Sequence, residues 1–172
     1  MKNLIKISLI LVAMVAFGAT SFAQQTATAH VSTNARIITP IDITGVDALE
    51  FGDVAVGSTG GTVVISTAGI ASTTGDITLP NTGATRSQAT FTVTGEANQT
   101  YSITLTNATV VITDGTNNMN VSTFVTDPTP TGTLNGSGTQ TLNVGGTLTV
   151  AGGQAPGTYT NATDLEVTVE YN

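Results

Sequence analysis

The chain has no cysteine and no tryptophan, and its 172 residues include one histidine and four basic side chains. Without cysteine there is no disulfide framework, no thiolate nucleophile and no N-terminal cysteine to carry a lipid. The fold must therefore be held by core burial and sheet hydrogen bonds alone. Lys2, Lys6, Arg36 and Arg86 stand against eleven acids, for a formal net charge of −7. Such a surface repels nucleic-acid phosphates and anionic membrane faces, which argues against both as partners. Three Tyr and five Phe leave few rings for stacking on a sugar face.

Half of the scarce basic residues sit at the start. Lys2 and Lys6 flank a short basic region, Ile7 to Phe17 is nearly all apolar, and Ser21-Phe22-Ala23 has small residues at its first and third positions. This is the layout of a secretory signal peptide cleaved after Ala23, and its apolar run is too short to span a bilayer comfortably. Export to the periplasm, the cell surface or the medium is expected, with no membrane span in the mature chain. The expected division is a signal peptide at 1–23, an N-terminal arm or edge strand at 24–36, and one β-sandwich domain at 37–172. A mature chain of that size buries roughly 68–70% of its unfolded surface, enough for a core without staples.

Strand periodicity fills the rest. In the closing stretch Leu165, Val167, Val169 and Tyr171 alternate with Asp164, Glu166, Thr168 and Glu170. A period of two over eight residues marks a half-buried strand, and the remaining chain is expected to be organised around it. Further extended stretches are Ile37–Thr44 (interrupted by Pro40), Ala48–Val54, Thr62–Thr67 after a Gly57–Gly61 turn, and Asp76–Leu79. Thr90–Gly95 and Thr100–Thr106 read as a central pair, and Val110–Thr113 ends at the reversal Asp114-Gly115. Val121–Thr126 follows, after which Pro128 and Pro130 interrupt pairing. Thr139–Val144 and Thr147–Ala151 flank Gly145-Gly146, which reads as a hairpin. No mature segment has helical periodicity. The fold class is all-β, an immunoglobulin-like or pilin-like antiparallel sandwich.

No residue set assembles into a site. Leu79-Pro80-Asn81-Thr82-Gly83 spells a cell-wall sorting motif but lies mid-chain, where it reads as a Pro-containing loop. His30 has no nucleophile beside it, and Gly136-Ser137-Gly138 lacks the full nucleophile elbow. Glu166 and Glu170 fall on the wet face of a strand, where they discourage edge-to-edge pairing. The oxygen-rich Asp114–Asn118 loop lacks the alternating acids of a calcium loop. Five N-x-S/T sequences begin at Asn98, Asn107, Asn120, Asn135 and Asn161. Thr pairs such as Thr92/Thr94, Thr104/Thr106, Thr147/Thr149 and Thr158/Thr160 suit the wet face of strands. No catalytic, cofactor-binding or metal-ligating residue is assigned, and the chain is not expected to be an enzyme.

Leu49-Glu50-Phe51-Gly52-Asp53-Val54, Phe91-Thr92-Val93-Thr94-Gly95-Glu96, Thr100-Tyr101-Ser102-Ile103-Thr104-Leu105 and Ala151-Gly152-Gly153-Gln154-Ala155-Pro156-Gly157-Thr158-Tyr159 resemble, in order, motifs of the DUF4402 family, a secreted bacterial domain of unknown function. The G-x-Y of Gly157 to Tyr159 and the penultimate Tyr171 are similar, more weakly, to the ends of spore-coat-U-like and chaperone–usher pilin subunits. That similarity implies sandwiches completed by a partner's N-terminal arm, although the usual pilin disulfide is absent. The resulting expectation is a secreted or cell-surface structural or adhesive protein, pilin-like in assembly. Self-association would run through the arm or the edge strands. The alternative is a soluble extracellular carbohydrate- or ligand-binding module, with a surface glycan or protein as partner.

Overall fold

A computed structural model of the chain describes residues 26–161 and 163–172, and the expected signal peptide lies outside them. The chain divides between Arg36 and Ile37 into two units. In the first, residues 26–36 are exposed and belong to no strand.

The second unit contains ten strands among the described residues and no helix there. They are β1 (Asp42–Asp47), β2 (Ala55–Ile65), β3 (Ala71–Thr78), β4 (Ala89–Thr94), β5 (Thr100–Leu105), β6 (Thr109–Thr113), β7 (Asn118–Asp127), β8 (Thr131–Thr133), β9 (Thr139–Val150) and β10 (Val167–Tyr171). All pairings between them are antiparallel. A seven-stranded sheet runs β1-β4-β9-β2-β3, with β7 also on β9 and β6 on β7; a three-stranded sheet runs β10-β5-β8. The fold is an all-β sandwich.

The hub is β9. Thr139–Val144 pair with β4, Gly146–Val150 pair with β2, and residues between Asn143 and Thr149 pair with β7. Asn143 and Val144 thus have both β4 and β7 as neighbours, while Thr147 to Thr149 have both β2 and β7. A strand has two edges, so β7 occupies one and β4 and β2 follow each other along the other. Inward residues of β9 serve two cores. Leu142 joins Val93, Tyr101 and Leu134, whereas Leu148 and Val150 join Val63, Ile65, Ile77, Val110 and Val121. Burying each such aliphatic side chain contributes about 1.5–3 kcal/mol.

Several expectations are corrected. Gly145-Gly146 is not a hairpin, because β9 passes straight through it. A side chain fits poorly there: a Cβ on Gly145 would lie 2.4 Å from the Ile65 carbonyl oxygen, and one on Gly146 would lie 3.0 Å from the Phe124 ring, which would have to give way. These glycines permit close approach within a central strand rather than reversal. Gly57–Gly61 is likewise no turn but part of β2, whose register with β3 shifts between Val56 and Gly61. Around Leu49 and Phe51 the backbone forms one isolated bridge, Glu50 to Ser87, instead of a strand. The expected central pair is split between sheets, β4 lying with β1 and β9, and β5 with β10 and β8. The closing stretch narrows to β10, an edge strand whose Val167, Val169 and Tyr171 are only half-buried. It docks onto the fold rather than organising it.

Candidate functional site

The two sheets leave an opening between β5 and β7, and its origin lies in strand lengths. β8 has three residues, pairing with Thr100, Tyr101 and Ser102 of β5. Pro128 and Pro130 precede it, and neither ring nitrogen can donate to a ladder. One further bond follows, from the Ile103 amide to the Pro130 carbonyl at 3.0 Å. On the opposite edge of β5, the Thr106 amide donates to the Glu166 carbonyl at 3.1 Å. Antiparallel ladders alternate, so Leu105 directs its N–H and C=O away from β10, to the side that β8 has vacated.

The large sheet has a matching vacancy. β6 begins only at Thr109, opposite Ser122, so the later half of β7 has no β6 partner. The register of β7 on β9 shifts between Ser122 and Val125, and Thr123 takes a left-handed φ of 51°. Such a bulge re-aims side chains. Here Phe124 packs toward Gly146 and Leu49 as the floor of the opening.

Between these edges lies a cleft of about 240 Å³ lined by Ile103, Leu105, Phe124, Val125, Thr126, Thr129 and Pro130. A second cleft, of about 390 Å³, continues past Thr106, Asn107, Ala108 and Thr123 and shares Leu105 and Phe124 with the first. The two form one open groove, apolar and hydroxyl-lined, with no charged residue in its wall. Sequence reasoning did not find it. The available signal was the adjacent apolar pair Phe124-Val125, which breaks the alternation of β7.

The residues weighed from sequence do not converge on the groove. His30 is exposed in the N-terminal segment. Ser137 sits in an exposed turn, its amide donating to Asn135 Oδ1 at 2.8 Å. The Leu79–Gly83 loop is held by Arg86, whose Nη2 donates to the Asp53 and Pro80 carbonyls at 2.8 and 2.9 Å. The Thr82 hydroxyl donates to the Asp53 carboxylate. Arg86 is thereby a fastener between loops, with its Nε buried and unpartnered among the described residues.

Asp114 closes the β6–β7 hairpin. Its Oδ1 accepts from the amides of Asn117 and Thr116 at 2.6 and 2.8 Å, and its Oδ2 accepts from Asn117 Nδ2 at 3.0 Å. The Asn117 and Thr116 bonds lower its pKa to about 2. Its oxygens are spent on its own turn. Among the described residues no three His, Cys, Asp or Glu side chains group as metal ligands. Glu166 and Glu170 are exposed, as are the five sequon asparagines.

The Thr pairs scatter over several surfaces. Thr92 lies between Thr44 and Thr141 in the large sheet, whereas Thr104 belongs to the small sheet and Thr158 to no strand.

Comparison with known proteins adds one finding. The family described as Domain of unknown function (DUF4402) matches residues 41–171, a span that takes in every strand from β1 to β10. No curated protein and no solved structure matches the chain.

Proposed function

The chain belongs to the DUF4402 family of domains of unknown function, and we propose that it is an exported, non-enzymatic protein of the cell surface, structural or adhesive, that accepts an extended strand at the β5–β7 groove. One observation carries this reading: two strand edges without neighbours border an uncharged apolar groove. Open edges are templates for pairing, and folds that do not use them blunt them with charge or cover them. Strand addition draws affinity from main-chain bonds and specificity from alternating side chains seated in pockets. Export rests on the Lys2 to Ala23 leader pattern.

The test compares unboiled and boiled denaturing-gel migration of the protein taken from its native cells. Strand-exchanged assemblies give a ladder that collapses on boiling to one band near the mature mass. A single monomer band in both lanes overturns strand addition and turns attention to the alternative, a self-contained carbohydrate- or ligand-binding module.

A further inference from the structure

We propose that Asn98 carries an N-linked glycan, attached after export by a transferase that draws on a lipid-diphosphate-linked oligosaccharide. This rests on export, and not on the strand-accepting groove.

Five N-x-S/T sequences make five candidates, because that pattern on a surface loop of an exported chain is the acceptor pattern for this modification. Hydrogen bonding sorts them. The reacting atom is the side-chain amide nitrogen, and one that already donates to the protein must break those bonds before it reaches a sugar. Asn107 Nδ2 donates to the Asp164 carbonyl at 3.0 Å, and Asn135 Nδ2 donates to Thr139 Oγ1 at 2.9 Å. Asn161 Nδ2 donates to the Val111 carbonyl at 2.7 Å and to Asp164 Oδ2 at 2.8 Å. Asn98 and Asn120 make no side-chain hydrogen bond among the described residues.

Backbone pairing separates those two. Asn120 lies inside β7, paired with Val111 of β6 and Thr149 of β9, and the next residue, Val121, is buried. A sequence held flat between two strands cannot bend into an enzyme's site. Asn98 stands in the turn from β4 to β5 with a left-handed φ of 61°, and Asn98, Gln99 and Thr100 are all exposed. The turn accounts for Asn at 98, a residue that tolerates such a φ. It makes no demand for a hydroxyl at 100, where Thr100 makes no side-chain bond among the described residues.

The same turn supplies an anion. Glu96 stands two residues before Asn98, whereas Leu105, Asn118, Thr133 and Tyr159 hold that place before the other four. The Thr39 amide donates to Glu96 Oε2 at 3.1 Å, which fixes the carboxylate at the turn. A carboxylate there gives a cationic side chain of the transferase a charge-assisted contact. The glycan would also leave the groove clear. Thr100 and Leu105 stand at opposite ends of β5, roughly 17 Å apart at about 3.4 Å per residue. Asn107, whose amide is tied down, is the sequon that lines the groove.

In the transfer, Asn98 Nδ2 attacks the anomeric carbon of the donor sugar. The bond from that carbon to the diphosphate oxygen breaks, and its electron pair leaves with the lipid diphosphate. The amide gives one proton to a base of the transferase, and nothing is oxidised or reduced.

Intact mass of the protein purified from its native cells is the test. The expected mass exceeds that of residues 24–172 by a set of whole sugar residues. The excess should vanish in Asn98→Asp and in Thr100→Val, and persist in Thr100→Ser, which keeps the hydroxyl. Asp tolerates the left-handed turn and Val suits the strand, so both variants keep the fold. A chain of residues 24–172 at its unmodified mass, or an excess that survives in Asn98→Asp, overturns the glycan while export stands. A chain that still carries residues 1–23 removes the premise as well.

Discussion

Tyr101 is fully buried, and leaving its hydroxyl unpaired there would cost about 1–3 kcal/mol. It donates instead to Gln140 Oε1 at 2.9 Å, and the same oxygen accepts from the Thr133 amide at 2.7 Å. Burial raises the phenol's pKa, which keeps it a neutral donor. The ring rests on Gly132, where a Cβ would come within 2.3 Å of it. Tyr101→Phe should therefore lower stability by about 0.5–1.5 kcal/mol, because Gln140 keeps the Thr133 bond. Gly132→Ala should cost about 1–3 kcal/mol by overpacking. Urea-denaturation midpoints rank the two, and the reverse order would mean that the ring has room to move.

Asp114 yields a prediction in pH. Its folded pKa of about 2 lies below the ordinary 3.8, so its turn bonds stabilise the fold fully above about 4. That contribution fades as pH falls from about 4 to about 2. It is modest, since the turn lies at the solvent-facing surface, where its charge is screened. The midpoint difference between the parent protein and Asp114→Asn should shrink across that window, and a constant difference would remove Asp114 from the pH response.

At the scale of strands, β9 rather than the closing stretch carries the fold, and packing explains why the sequence points elsewhere. Strict alternation reports one wet face, as along Val167–Tyr171, and does not tell an edge strand from a central one. β9 carries Gly145-Gly146 where the Ile65 carbonyl and the Phe124 ring come close, residues that by themselves spell a turn. Local pattern thus identified most strands but not their neighbours: β4 and β5 are both visible in sequence, yet each pairs with residues far along the chain. The groove is less legible still. It is made by the ends of β6 and β8, so residues 103–105 and 124–130 become a site only once pairing is known. Leu142→Ala, in the first half of β9, should cost about 2–5 kcal/mol. Val169→Ala, half-buried on β10, should cost markedly less. Equal losses in thermal or urea unfolding would restore β10 as the organising strand.

For the molecule as a whole, a net charge of −7 at pH 7 sets copies against one another before any contact forms. The groove proposed to accept a strand offers no opposite charge to offset that repulsion, because its wall contains no acidic or basic side chain. Its attraction is short-ranged, from main-chain bonds and apolar burial, which salt barely screens. Repulsion between the exposed acids is screened, with a Debye length falling from about 30 Å at 0.01 M to about 8 Å at 0.15 M salt. Assembly from heat-dissociated monomer should therefore quicken as sodium chloride rises over that range, with little change in the heat needed to take the assemblies apart again. Light scattering follows the first and gel migration after stepped heating the second. Assembly that slows with salt would signal a junction built on charge pairing, which the groove between β5 and β7 cannot supply.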